Sequence, residues 1–190
     1  AGIIQPLMAD TFNSYKDLVD LRPLIELIRT EGKPVLYERG EYLLHEGDIE
    51  KYISVVISGY CRYVTHRSDG SEGVVGFSLP GDIASGFSDR MYRNPSRLAI
   101  IASCRLEVLQ LPFDYAFSKI SEHDRHFTLK MEKAFSRTLF ERHLNLYKLT
   151  PAERYRKFAA SYPEIIGQIL VKELASFLQI TPQHLRRIRK

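Results

Sequence analysis

The middle of the chain is a run of short alternating segments separated by glycines, and this pattern limits the fold more than any other feature. Between residues 34 and 112, apolar and polar side chains alternate, and β-branched and aromatic residues are frequent. Turns are expected at short, regular intervals, near Gly40, Gly47, Gly59, Asp69-Gly70 and Gly81. An Asp-Gly pair between two such segments is a strong hairpin signal. Evenly spaced short strands are typical of antiparallel sandwiches and barrels, so the pattern predicts one of these folds.

Helical periodicity replaces this pattern on both sides of the β region. In residues 15–30, apolar side chains recur every three or four positions around Pro23, which predicts one or two short helices. A segment from about Glu122 to Lys148 contains no proline or glycine and predicts a long helix. Together, the two periodicities indicate an α+β protein.

The predicted long helix has two apolar faces. The first carries Phe127, Met131, Phe135, Leu139 and Leu146, and Arg142 interrupts it; the second carries Leu129, Phe140, Leu144 and Tyr147. A helix with two apolar faces must be covered twice. We expect one face to lie on the β region and the other to pack against the same helix of a second subunit, as in a coiled coil. Symmetric dimers are the commonest oligomers, so a homodimer is predicted, with a larger monomeric core as the alternative.

A further helix is expected to begin at Thr150. Thr150 has the residue type of an N-cap, Pro151 that of the first helical position, and Glu153 lies third in the helix. The helix should end before Pro163, which cannot continue it.

The chain ends in two short helical segments joined by a tight turn. Within residues 170–190 the apolar side chains point inward from both segments, and Thr181 and Pro182 begin the second. This is the pattern of a helix-turn-helix, whose second helix enters a DNA groove. Its outer side carries the predicted DNA-binding residues Thr181, Gln183, Arg186, Arg187 and Lys190. Gln can pair with adenine and Arg with guanine, whereas Lys and a helix-capping hydroxyl suit phosphates.

Positive charge is concentrated at the same end of the chain. The chain has 27 Lys and Arg against 23 Asp and Glu, a net charge of only +4, so it is not a general polycation. Arg186, Arg187, Arg189 and Lys190 supply much of the excess. A local excess predicts an anionic partner at this end, with a solvated tail as the alternative.

Few other residues are arranged for chemistry. Cys61 and Cys104 are too few for a disulfide framework or an iron–sulfur cluster, and we expect buried free thiols. His45 and His66 are far apart in the sequence, so a cupin-type metal site is not predicted. These two histidines and the two cysteines are candidate haem ligands, but a lone His or Cys in a sheet is more often structural, so haem is not predicted either. The chain contains no phosphate-binding glycine loop, nucleophile elbow or HExxH motif, so we expect neither an enzyme nor a bound cofactor. No apolar run is long enough to span a bilayer, which favours a cytoplasmic protein without a membrane partner.

The order of segments, a glycine-punctuated β region, a long helix and a C-terminal helix-turn-helix, resembles the Crp/Fnr superfamily of bacterial transcription regulators. Residues 40–64 and the LPGDIA of residues 79–84 look like the cyclic nucleotide-binding domain signature. The ending ITPQHLRRIRK is similar to that of the shorter Bacteroidetes members. The resemblance implies N-terminal helices and an effector-binding β-roll (a jelly roll) in residues 1–113, a long dimerisation helix in residues 114–149 and a DNA-binding domain in residues 150–190.

The resemblance also implies a homodimer that binds a near-palindromic site on double-stranded DNA and acts on RNA polymerase. The family's base-contacting positions fall on Pro182, Gln183 and Arg187, and Pro182 lacks a side-chain donor, so that contact is expected to be lost. Thr181 matches a phosphate-contacting hydroxyl. A ligand-binding or scaffolding module that has lost DNA binding is the alternative, and Pro182 together with Gln179, which stands where the turn usually has glycine, favours it.

The effector site departs further from the family pattern. Members that bind cyclic AMP carry Gly-Glu after the Gly-Asp turn and then Arg followed by Ser or Thr. Here Ser85 and Gly86 replace Gly-Glu, and Ser96 and Arg97 occur in the reverse order. Neighbours on a strand point to opposite faces, so Arg97 is not expected to replace the missing Arg, although Arg93 could bind a different anion. We therefore expect a small-molecule effector other than a cyclic nucleotide, or a vestigial pocket.

Overall fold

The computed structural model describes residues 15–163 and 165–190, and residues 34–112 form the predicted antiparallel jelly roll. Within the described residues there are eight strands: β1 (Lys33–Tyr37), β2 (Tyr42–Leu44), β3 (Tyr52–Ser58), β4 (Cys61–His66), β5 (Glu72–Ser78), β6 (Ile83–Ala84), β7 (Ala99–Ala102) and β8 (Leu106–Pro112). They form two four-stranded sheets in the orders β1-β8-β3-β6 and β2-β7-β4-β5, and every pairing is antiparallel. The fold prediction is confirmed.

The turns between strands lie at the predicted glycines. Gly40, Gly47, Gly59, Gly70 and Gly81 all have φ between 75° and 90°, in the left-handed region. The requirement is strictest at Gly59, where a Cβ atom would lie 2.3 Å from the carbonyl oxygen of Arg105. Asp69-Gly70 does form the β4–β5 hairpin, and the Asp69 carboxylate accepts a 2.9 Å hydrogen bond from the Ser71 amide.

Helices occupy both ends of the chain. They are α1 (Tyr15–Leu18), α2 (Arg22–Glu31), α3 (Phe87–Met91), α4 (Phe113–His123), α5 (Phe127–Lys148), α6 (Pro151–Ser161), α7 (Val171–Phe177) and α8 (Pro182–Ile188). The long helix α5 begins at Phe127, later than the predicted Glu122. The helical backbone is interrupted at Asp124, which has an extended conformation (φ −138°, ψ 96°) and ends α4. Its carboxylate accepts hydrogen bonds from the His126 amide (3.0 Å) and from Lys130 Nζ (2.6 Å) across this interruption.

The capping residues predicted for α6 are in place. The Glu153 amide donates to Thr150 Oγ1 (3.3 Å), and the Thr150 amide donates to Glu153 Oε2 (2.8 Å). This reciprocal capping box satisfies two amides that the first turn of a helix leaves unpaired.

Each sheet is covered on both faces. Side chains such as Val56 and Ile100 point between the sheets, and their neighbours point outward because side chains alternate along a strand. The outer face of the first sheet, including Ile53 and Val55, packs against α1, α2, α4 and α5. The outer face of the second sheet packs against the C-terminal helices. No helix among the described residues has the length and apolarity that crossing a membrane would require.

Candidate nucleic-acid interface and effector site

Helix α8 presents a polar face to solvent. Thr181 caps it, since Oγ1 accepts a 3.1 Å hydrogen bond from the His184 amide. Leu185 is fully buried and anchors the inner face. The five predicted DNA-binding residues are all exposed: Thr181, Gln183, Arg186, Arg187 and Lys190. Three cations and one amide are therefore available to an anionic partner.

Arg189, in contrast, belongs to the interior of the C-terminal unit. Its Nη2 donates a 3.1 Å hydrogen bond to the carbonyl oxygen of Ile166, and its guanidinium lies 5.6 Å from the ring centroid of Tyr155. The C-terminal cations are thus divided between one that positions α8 and three that remain at the surface.

The turn before α8 has the strained conformation that its sequence suggested. Gln179 has a φ of 56°, in the left-handed region that glycine occupies without cost. Arg154, a residue that the sequence did not single out, stabilises this turn from α6. Its Nη2 donates to the Leu178 carbonyl (2.8 Å) and its Nη1 to the Leu149 carbonyl (2.7 Å).

The helix-turn-helix is attached to the roll through α7. The buried hydroxyl of Tyr60 donates a 3.0 Å hydrogen bond to Glu173 Oε2 and accepts one of 3.1 Å from the Leu170 amide. Arg62 Nη1 lies 3.6 Å from the other oxygen of Glu173. Ser176 Oγ accepts a 3.0 Å bond from the amide of Val74. These contacts set the position of α8 relative to the roll.

A buried carboxylate occupies the predicted effector site. Glu50 Oε2 accepts a 2.7 Å hydrogen bond from Ser85 Oγ, and Oε1 accepts one of 3.0 Å from the Gly86 amide. Burial raises the pKa of Glu50 to about 7, although the two hydrogen bonds and the charge of Arg90 oppose the shift. The donors at the start of α3 are therefore already paired with an acidic group of the chain itself.

Tyr63 fills the space next to this carboxylate. Its hydroxyl accepts a 3.0 Å bond from the Ser85 amide and lies 3.0 Å from Ser78 Oγ. A methyl group on Gly76 would lie 3.7 Å from the Tyr63 ring and 3.8 Å from Nη1 of Arg142, so α5 also reaches this side of the roll. The site is lined by polar side chains that bind one another.

The other predicted effector residues do not converge on one ligand site. Ser96 is buried near Gly86, and its hydroxyl donates to the Leu98 carbonyl (2.7 Å). Arg97 instead lies at the surface, 80% exposed, and its Nε donates to Asp89 (2.8 Å). Arg93 is exposed in the turn after α3. The structure thus brings together Ser85, Gly86 and Ser96 but leaves both arginines outside.

The apolar side chains of α5 fall into two groups. Phe127 and Met131 are buried against their own chain, and Phe135 packs on the same core. These three side chains therefore lie on the face of α5 that packs against its own chain. Leu139 and Leu146 are 44% and 42% exposed. The outer face carries exposed apolar side chains from the second predicted stripe: Leu129, Phe140 and Tyr147.

Within the part of the chain that the structure describes, no three His, Cys, Asp or Glu side chains lie close enough to bind a metal ion. Cys61 is buried, and burial raises the pKa of its thiol to about 12, which makes it an inert thiol; Cys104 is partly exposed. Both cysteines are free.

Comparison with known proteins agrees with this architecture. The family model described as "Cyclic nucleotide-binding domain" matches residues 34–123. FixK2 from Bradyrhizobium japonicum aligns with a TM-score of 0.66 and 21% identity, over 83% of this chain and 82% of its own. The c-di-GMP-responsive global regulator CLP from Xanthomonas campestris aligns with a TM-score of 0.60 and 15% identity, over 87% and 88%.

The catabolite activator protein of Thermus thermophilus aligns with a TM-score of 0.55 and 19% identity, over 88% of this chain and 81% of its own. No curated protein sequence matches the chain at a significant level. These alignments cover 83–88% of the chain and therefore extend beyond the roll. Residues 34–123 therefore match the model of the cyclic nucleotide-binding domain family, and the chain has the same overall fold as these proteins of solved structure.

Proposed function

We propose that the protein is a homodimeric, cytoplasmic transcription regulator that binds specific sites on double-stranded DNA and acts together with RNA polymerase. The observation that carries the proposal is α8, a capped helix with a buried apolar face and the exposed side chains of Gln183, Arg186, Arg187 and Lys190. Amide and guanidinium groups on one helix face are suited to base edges and phosphates of a major groove. Proteins with the same fold include a c-di-GMP-responsive global regulator.

The effector of the roll, if it has one, is not a cyclic nucleotide in this proposal. Glu50 already pairs with Ser85 and Gly86, and a cyclic phosphate placed there would meet a carboxylate. Above its pKa of about 7, the Glu50 carboxylate would also repel the phosphate, since like charges at such short range interact strongly in a buried site. The two arginines of the predicted effector residues, Arg93 and Arg97, are exposed at the surface.

Fluorescence anisotropy with DNA from upstream of the protein's own gene tests the proposal. Specific binding should exceed binding to a scrambled duplex by a factor on the order of 10³ or more, and the logarithm of affinity should fall linearly with the logarithm of salt concentration. Equal affinity for both duplexes would instead support a module without DNA-reading function.

Two variants of α8 separate base reading from phosphate contact. Arg187→Ala should weaken specific binding by about 1–3 kcal/mol and relax the preference at one base pair. Lys190→Ala should weaken binding to both duplexes alike and reduce the salt slope by about one. Arg125→Ala, at an exposed arginine between α4 and α5, is the matched control and should bind as wild type. Wild-type binding by all three variants would contradict the placement of α8 in the groove.

A further inference from the structure

A cleft opens between the roll, α5 and the helix-turn-helix, away from the effector site of the roll. Its volume is about 280 Å³, at the small end of the range for ligand pockets. Its apolar wall comes from Leu146 of α5, Phe158 of α6 and Phe177 of α7, with Val74 of β5 at the back. An occupant would therefore touch the roll and the DNA-binding unit at the same time.

The cleft lies on the flank of α5, beside the exposed apolar face and not on it. Leu139 and Leu146 line the cleft, whereas the next residues along the helix, Phe140 and Tyr147, face away from it. Successive residues on a helix point about 100° apart. A second α5 packed on Phe140 and Tyr147 would leave the cleft open to a small molecule.

Positive charge surrounds the apolar wall. Arg154 and Lys157 line the cleft, whereas Arg142, which also lines it, extends its Nη1 toward Tyr63 of the roll. The Nε atom of Arg154 is buried and has no hydrogen-bond acceptor. Buried donors without an acceptor are rare in native proteins. The Nη atoms of Arg154 donate to the neutral carbonyls of Leu149 and Leu178, so an anion in the cleft would add ionic attraction to this guanidinium in an environment that strengthens it.

We propose that this cleft binds a small amphipathic acid, an aliphatic or aromatic carboxylate. Its apolar part would lie against Leu146, Phe158 and Phe177, and its acid group would face Arg154 and Lys157. Apolar walls with a few convergent polar groups are the usual composition of small-molecule sites, and such sites often lie between domains. This inference does not depend on DNA binding by α8.

Isothermal titration calorimetry of the full chain, without DNA, with sodium octanoate below its micelle concentration tests the proposal. Octanoate should bind with saturable heat at one site per chain. Octanamide has nearly the same shape but no charge, so it should bind at least about tenfold more weakly. No saturable heat with octanoate, or equal affinity for octanamide, would overturn the proposal.

Two variants show whether the octanoate site is the cleft. Leu139→Trp should abolish binding, because Leu139 is 44% exposed and an indole there can fill the cleft without entering the core. Leu36→Trp, a similar addition at a 48% exposed position on β1, should bind octanoate as wild type. Lys157→Gln should weaken octanoate but leave octanamide unchanged. Undiminished octanoate binding by Leu139→Trp would place the ligand elsewhere and reject the cleft as its site.

Discussion

Glu50 is a buried carboxylate, and two opposing effects determine its charge. Burial in the roll disfavours the ionised form, while the Ser85 hydroxyl and the Gly86 amide stabilise it. Burial prevails and the pKa rises to about 7, so Glu50 loses its proton near neutral pH.

The raised pKa predicts a pH-dependent stability. The unfolded chain releases the Glu50 proton near the ordinary value of 4.5, and the folded chain only near 7. The folded state therefore binds more protons between these values, and the free energy of unfolding should fall as pH rises from 4.5 to 7, by about 3 kcal/mol in total. Urea denaturation at intervals from pH 5 to 8 measures the effect.

Glu50→Gln is the control for this prediction, because the amide does not titrate. As pH rises to 7, the unfolding free energy of the wild type should fall relative to that of Glu50→Gln. Above pH 7 the difference between the two should stay constant. A constant difference across the whole pH range would show that Glu50 titrates normally in the folded protein.

The backbone conformation of Gln179 determines its contribution to the free energy of unfolding. Replacing it by glycine should raise the free energy of unfolding by about 0.5–1 kcal/mol, because a left-handed φ of 56° costs a residue with a side chain more than it costs glycine. Lys172→Gly, in the exposed part of α7, should instead lower stability by about 1 kcal/mol. Both values come from urea denaturation, and a loss of stability in Gln179→Gly would mean that the side-chain bond from Gln179 Nε2 to the Ser176 carbonyl outweighs the strain.

At the scale of elements, the helices and turns were largely predictable because their signals are local. The five left-handed glycines, the capping box at Thr150 and the proline at position 182 each act within a few residues of themselves. The start of α5 was harder to predict, since helical periodicity continues through Asp124 and only the extended backbone of that residue shows the break.

The contacts within the predicted effector site and those between α7 and the roll could not be predicted from local sequence pattern. The hydrogen bond between Ser85 and Glu50 joins residues 35 positions apart in the sequence, and the bond between Tyr60 and Glu173 joins residues 113 positions apart. Such pairs arise from the closure of the roll and the docking of α7 on it. The sequence showed that Ser85-Gly86 departs from the family pattern. It did not show that the Glu50 carboxylate binds these two residues.

We predict that the outer face of α5 forms the contact between two subunits. Phe140 is 61% exposed and Tyr147 is 78% exposed, and helices cover such faces by coiled-coil-like packing. Phe140→Glu should convert the dimer to a monomer, because charge in the centre of an apolar seam would be desolvated. Sedimentation velocity measures the change.

Ile49→Glu provides the comparison, because Ile49 is 50% exposed on the loop after β2 and outside α5. It should remain dimeric. A monomeric wild type, or a dimeric Phe140→Glu variant, would contradict the prediction that the outer face of α5 is the dimer contact.

At the scale of the whole molecule, the roll and the helix-turn-helix share one apolar core. Phe77 of the roll packs against Phe158 and Phe177 at ring-centroid distances of 5.9 and 5.5 Å. The polar contact of Tyr60 with Glu173 lies next to this core. The position of α8 is therefore coupled to the roll by packing as well as by the chain.

Tyr60→Phe should weaken this coupling. Loss of the hydroxyl leaves the buried Glu173 carboxylate and the Leu170 amide each without one partner, which costs about 1–3 kcal/mol. Hydrogen exchange should show lower protection in α7 and little change in β3. Tyr37→Phe, which removes a phenol that accepts a 2.8 Å bond from Gln110 within the roll, should leave α7 protection unchanged. Equal exchange of α7 in both variants would mean that the hydroxyl of Tyr60 does not hold the helix.

The aromatic contact of Phe77 with Phe158 and Phe177 has a consequence for proteolysis. These rings hold the C-terminal helices on the roll independently of the peptide bond at Leu149. Proteolytic cleavage at Leu149 should therefore yield two fragments that elute together in size-exclusion chromatography and separate only in denaturant. Helix α8 would then stay in its place on the cleaved chain.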